Sequence, residues 1–280
     1  MLYAKLQKTI AISGKSQSTL TNYARCLARL ALFFNSNPIE LDNEQVTDYL
    51  HHLKSRHSTP SDSFFKHTVY GLRYACKVCD VKSLQVALPS IERPKKLPVV
   101  LSREEVQLLL STPKLLKHRV MLGLLYGCGL RCGEVQNLRI KDLDFDRKML
   151  HIRQGKGRKD RYVPLCDMLI RGLKKYLASE KPTIWCFNGN DKEGKPVALS
   201  PRGVQWVVRQ ARQRSGIKKE VTTHVLRHTY ATHLLEMGLD IMTLKDLLGH
   251  VDIQTTLVYL HVSHLDKQRA FSPLEKLYTS

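Results

Sequence analysis

Between positions 89 and 98 the chain reads PSIERPKKLP, and three prolines in ten residues exclude a regular helix or a central strand there, because proline lacks the N–H that either ladder needs. A chain interrupted in this way has to build a separate body on each side of the break. The reading is therefore a domain at 1–88, a linker at 89–98 and a larger domain at 99–280. With 280 residues there is enough chain for two such bodies, each with its own core.

Both bodies are basic. The formal charge is +20, with 14 Lys and Arg against 7 acids up to Pro98 and 31 against 18 beyond it. An excess spread in this manner is not a basic tail, and it suits a polyanion whose phosphates are neutralised along a surface. Nucleic acid is the expected partner, although charge alone does not separate a DNA enzyme from an RNA-binding protein. The N-terminal stretch has no charged region followed by a long apolar run, and nothing approaches the ~18 apolar residues of a membrane span. A cytoplasmic protein with no membrane partner is expected. Seven scattered cysteines fit reduced thiols, and the lone Cys76/Cys79 pair has no second pair at zinc-site spacing.

Helical spacing dominates. Leu20, Tyr23, Leu27, Leu30 and Phe34 form a stripe after a cap at Ser18 or Thr19; Val46, Tyr49, Leu50 and Leu53 form a second over 41–53; Phe64 to Cys79 gives a third. Past the linker, Ser102 and Glu105 have capping-box spacing ahead of a helix to Leu110. A helix over 119–126 runs into GCGLRCGEVQNL, whose glycines turn the chain sharply before Arg131, and a helix resumes at Glu134. From Met149 to Val163 the period changes to two around a Gly- and Lys-rich tip, which predicts a hairpin. A helix over 166–177, a loop over 179–199 and a basic helix over 200–215 follow, the last carrying Arg202, Arg209, Arg212 and Arg214.

The chemistry gathers between Thr222 and His261. His224 and Arg227 share a helical face; the run 229–237 reads as amphipathic and is capped by Gly238; a helix over 241–248 ends at Gly249 and His250; Tyr259 comes nine residues later. Cations gathered beside a phenol suggest a phosphate held for attack by the phenol oxygen. An isolated phenol, with a pKa of ~10, needs help to ionise at neutral pH. His228 and His233 read as hydrogen-bonded structural histidines.

HVLRH at 224–228, LLGH at 247–250 and Tyr259, with GCGLRCGEVQNL and the lysine-bearing hairpin upstream, resemble the boxes of the tyrosine recombinase (phage integrase) family. The resemblance implies a mainly α fold with a small β-hairpin or sheet (α+β), made of a helical core-binding domain and a mixed catalytic domain closing as a clamp on double-stranded DNA. It implies a site-specific recombinase or integrase that cleaves and rejoins strands through a 3'-phosphotyrosyl intermediate, without ATP, cofactor or metal, as a homotetramer on two DNA sites. Its catalytic residues would be Arg131, Lys156, His224, Arg227, His250 and Tyr259, with Lys159 as the rival lysine and Glu134 supporting the site. His224 would accept the phenolic proton or donate to the phosphate. Compactness points to an Xer-like or small mobile-element type, and Cys132 departs from the usual pattern. The tail beyond Tyr259 would dock on its own chain or on a neighbour. Relaxation of the type IB topoisomerase kind and idle DNA binding are the alternative activities.

Overall fold

The computed structural model describes residues 2–55, 62–81, 97–153, 160–191 and 193–263. Most of the expected linker, both candidate lysines (Lys156 and Lys159) and most of the tail expected to dock beyond Tyr259 lie outside those residues. The chain divides into two compact units, Met1–Pro94 and Lys95–Ser280.

The first unit is helical: α1 Leu2–Ile12, α2 Gln17–Phe34, α3 Asn43–Ser55 and α4 Asp62–Val78. Its core is the meeting of their stripes, Leu6 and Ile10 with Leu20, Leu27 and Leu30, Val46, Tyr49 and Leu50, and Phe65, Val69 and Leu72. Helix α2 is capped by Ser16, whose hydroxyl accepts the Thr19 N–H at 3.3 Å, rather than by Ser18 or Thr19, which fall within the first turn. Asp42 and Gln45 cap α3 reciprocally, side chain to backbone, at 2.8 and 3.0 Å. Helix α1 was not anticipated; its buried residues recur only at four-residue intervals, with no capping side chain to mark the start.

The second unit begins with α5 Arg103–Ser111, α6 Leu116–Gly127 and α7 Cys132–Gln136. Strands β1 Leu143–Asp144, β2 Met149–Ile152 and β3 Arg161–Pro164 form an antiparallel sheet, with Leu150 opposite Val163 and His151 opposite Tyr162. After α8 Asp167–Glu180, a second hairpin pairs β4 Asn188–Asn190 with β5 Pro196–Ala198, where a plain loop was expected; no alternation of apolar and polar residues announces it. Then come α9 Pro201–Ser215, α10 Thr223–Glu236, α11 Ile241–Leu248, α12 Gln254–Leu257 and a 3-10 turn, Val258–His261. The capping box Ser102/Glu105 is present, with the Glu105 N–H donating to the Ser102 hydroxyl at 3.2 Å and Ser102 N–H to Glu105 at 2.7 Å.

Helix α10 corrects the amphipathic reading. Capped by Thr222, it is buried on almost every side, including at Arg227, Thr229, Thr232 and His233. A helix enclosed all round belongs to the core, and its polar side chains must then find partners. Two of them satisfy one residue: the Leu101 N–H donates to the Thr229 hydroxyl at 3.1 Å, and the Leu101 carbonyl lies 3.0 Å from His233 Nε2. His233 Nδ1 meets the Tyr126 hydroxyl at 2.9 Å, so this histidine is structural, as the sequence suggested. The chain entering the second unit is thus hooked to the helix that carries Arg227.

Replacing Thr229 with Val keeps the shape and removes the acceptor for the Leu101 N–H. Urea titration is expected to show a loss of about 1–3 kcal/mol, the penalty of an unsatisfied buried donor. Thr229→Ser is expected to lose much less, and equal losses in the two variants would contradict this account.

Candidate active site

Arg131 owes its place to the turn before it. Gly129 has φ +59°, and a Cβ there would sit 2.4 Å from Tyr230 Cδ1, so both backbone conformation and space demand glycine. Leu130 is buried and anchors the turn, and Arg131 becomes the first flanking residue of α7. Glu134, three residues on, accepts the Arg131 backbone N–H and its guanidinium, each at 2.8 Å. The other side of Arg131 donates to the Gly249 carbonyl at 3.2 Å.

Arg161, at the start of β3, forms a fork on the same carboxylate, both nitrogens at 2.8 Å, while its Nε donates to the Leu247 carbonyl at 2.7 Å. Burial alone would push the Glu134 carboxyl up. The hydrogen bonds and charges of Arg161 and then Arg131 overcome it and hold the group at about 2, so Glu134 is an anion at any working pH.

Arg227 is a buried cation. It donates to the Gly129 carbonyl at 2.6 Å and to the Leu248 carbonyl at 2.5 Å, it lies 3.2 Å from His250 Nε2, and Glu134 is 4.0 Å away. Burial, then repulsion from Arg131, brings its pKa down to about 10, which still leaves it charged at neutral pH. His250 follows the left-handed Gly249 that ends α11, and its Nδ1 meets the Thr256 hydroxyl at 2.9 Å. Its ring is thereby fixed between Arg227 and α12.

Tyr259 lies on the 3-10 turn and is only 3% exposed. Its hydroxyl is 3.1 Å from His228 Nδ1, and its ring stacks near His250, with centroids 6.4 Å apart at 16°. Burial raises the phenol pKa, and the charges of Arg227 and Arg131 only partly oppose this. His224 is exposed at the mouth, its ring 6.5 Å from that of His228. These side chains line one cleft of about 520 Å³.

Of the six residues expected in the site, five are brought together: Arg131, His224, Arg227, His250 and Tyr259. Lys156 and its rival Lys159 lie outside the described residues. Sequence reasoning missed the contact of His228 with Tyr259, although its position one helical turn beyond His224 was a usable signal. It also passed over Arg161, one cation in the basic run GKGRKDR, which nothing local distinguishes.

Comparison with known proteins identifies the family. The model of the phage integrase family matches residues 99–265, and that of the phage integrase N-terminal SAM-like domain matches 2–74. A putative integrase/recombinase, y4qK, of Sinorhizobium fredii (strain NBRC 101917 / NGR234) is 33% identical over 278 residues, covering 99% of this chain and 89% of that protein. The tyrosine recombinase XerA of Thermococcus onnurineus (strain NA1) is 35% identical over 262 residues, with 91% and 89% covered. Among solved structures, a XerA recombinase superposes with a TM-score of 0.54 at 26% identity, covering 99% of this chain and 96% of that one. The Tn1549 transposon integrase in complex with transposon right end DNA shares the fold, with a TM-score of 0.68 at 19% identity and 99% of both chains covered. The chain belongs to the phage integrase family of tyrosine recombinases and is of the Xer-like type. Its activity is site-specific DNA recombination through a tyrosine.

Glu134 makes stability depend on acid. With its carboxyl held at about 2 instead of 4.5, it contributes about 3 kcal/mol that is fully present above pH ~4.5 and disappears as pH falls toward 2. Urea unfolding at stepped pH is expected to show this slope in the wild type, and Glu134→Gln should flatten it while lowering stability at pH 7. In Gly129→Ala, strain and the clash with Tyr230 are expected to cost about 1–3 kcal/mol and to depress DNA cleavage, because the carbonyl that holds Arg227 shifts.

Proposed function

We propose that Tyr259 is the nucleophile of strand exchange. Its phenol oxygen forms a bond to phosphorus as the bond to the 5'-oxygen breaks, leaving a 3'-phosphotyrosyl link and a 5'-hydroxyl; a 5'-hydroxyl from the partner strand reverses the step. The ester bond energy stays in the intermediate, so no ATP enters. Carrying this reading is the placement of the Tyr259 phenol in one cleft with two guanidiniums already oriented by backbone carbonyls and Glu134.

Arg131 uses one donor nitrogen on Glu134 and another on the Gly249 carbonyl, each of which carries a second hydrogen. The remaining donors of Arg131 and Arg227 bind the nonbridging oxygens, on which charge accumulates in the transition state, and lysine at either place would do so less well. His224 and His250 add hydrogen bonds to the same phosphate. Lys156, which falls between β2 and β3 in the sequence, protonates the departing 5'-oxygen; this role rests on the family resemblance.

One tyrosine sits in the cleft of its own chain, so one chain cuts one strand. Exchanging both strands of two duplexes then calls for four copies, a homotetramer on two sites of double-stranded DNA. The charge of +20 supplies the attraction to the duplex, and the first unit contributes its share as a DNA-holding domain. With DNA as substrate, the cytoplasm is the proposed place of action.

The test is a suicide duplex, nicked next to the cleavage position, built on the recombination site in the DNA flanking the gene. Wild type is expected to become covalently attached through Tyr259, and Tyr259→Phe to bind without attachment. Arg227→Lys is expected to slow attachment about 10²- to 10³-fold. Tight binding by the wild type with no adduct would overturn the proposal, as would an adduct that persists in Tyr259→Phe.

A further inference from the structure

We infer that His228 is a catalytic residue of this reaction, its Nδ1 taking the proton from the Tyr259 hydroxyl as the phenol oxygen attacks phosphorus. The inference rests on Tyr259 being the nucleophile. Its ground is a contact: His228 Nδ1 and Tyr259 Oη are 3.1 Å apart, and their ring centroids 5.6 Å, with the histidine on α10 and the tyrosine on the 3-10 turn. A proton acceptor has to lie within hydrogen-bond reach of the proton it removes, and His228 meets that requirement before any DNA arrives. His224, one turn earlier on α10, is exposed, its ring 6.5 Å from that of His228.

The surroundings suit a base. His228 shares α10 with His224 and Arg227, faces Tyr259 from the 3-10 turn, and lies in the cleft that His250 and Arg131 enter from α11 and α7. Burial first, then the charges of His224 and Arg227, lowers its pKa below the ordinary 6.5, so at neutral pH the ring is uncharged and has a lone pair to offer. The phenol is pushed the other way by burial, so it is not ionised in advance and needs an acceptor. With the ring hydrogen on Nε2, the hydroxyl donates to Nδ1, and the two atoms already define the proton's path. During attack the Oη–H bond breaks and the Oη–P bond forms, His228 carries the proton as an imidazolium, and the 5'-oxygen receives a different proton from its own donor. In the reverse step the imidazolium returns the proton to the departing phenolate. This division leaves His224 for the phosphate.

The experiment is single-turnover cleavage of the suicide duplex across pH, as the ordinary oxygen ester and with sulfur in place of the bridging 5'-oxygen. Sulfur leaves without a proton, so a residue that serves the leaving group becomes dispensable, whereas one that serves the nucleophile does not. His228→Asn can keep a hydrogen bond near Nδ1 but cannot carry the proton. It is expected to slow both substrates by a similar factor, about 10²- to 10⁴-fold, and to abolish the fall in rate expected of the wild type on the acid side of the ordinary imidazole range. A fluorinated, more acidic tyrosine at 259 is expected to recover part of that loss, which a purely structural role would not allow. Melting temperature and DNA affinity confirm folding, and His228→Gln replaces Asn if that variant is unstable. The proposal is overturned if the variant cleaves near the wild-type rate, keeps the acid limb, or recovers on the sulfur ester alone. Wild type giving no Tyr259 adduct would instead remove the nucleophile itself, and is told apart by that.

Discussion

Arg131, Arg161 and Arg227 all reach the Glu134 carboxylate or its immediate vicinity, two of them by direct hydrogen bonds and the third at 4.0 Å. Cations this close repel one another by several kcal/mol even at an effective dielectric of about 20, and desolvation adds to the cost. A phosphate would relieve the repulsion, but the site has to persist before one binds. Glu134 makes that possible, and in doing so it ties together pieces remote in sequence: the turn at Gly129, the start of β3, and the end of α11 that the arginines reach through backbone carbonyls. An attractive surface for anions is thus held open by one anion that never leaves.

The enclosure of α10 gives this arrangement its rigidity. Arg227 and His228 are adjacent on a helix that presents little to water, so the guanidinium and the imidazole are aimed by the core packing of Val225, Leu226, Tyr230 and Ala231. Tyr259 comes from a separate short turn, and it meets α10 through its own hydroxyl and ring. Guanidinium and imidazole are therefore set by the packing of one element and the phenol by that of another, and a change in either alters their mutual distances.

Local rules in the sequence carried far. The capping box at Ser102, the break at Gly129, the hairpin from Met149 and the end of α11 at Gly249 all follow from residue chemistry within a few positions, and the structure has them. Features decided at long range were harder to read. The apolar spacing of α10 looked one-sided because its remaining positions are Thr, His and Arg, whose burial depends on partners such as Leu101 and Gly129 more than 90 positions away. Arg161 is indistinguishable from its basic neighbours until β3 places it on Glu134. The same holds for His228, whose meaning is its contact with a hydroxyl 31 positions later.

The acceptors that orient the site arginines are largely main-chain: the carbonyls of Gly129, Leu247, Leu248 and Gly249. A carbonyl cannot be mutated away. The code for aiming these guanidiniums is thus written in chain path, in two glycines and in the one carboxylate of Glu134, and the side chains that only rim the cleft are at liberty to drift without erasing it. Such a site presents a small target to mutation, and variants with altered DNA preference can be sought across the surface of the second unit without first protecting its reactive centre.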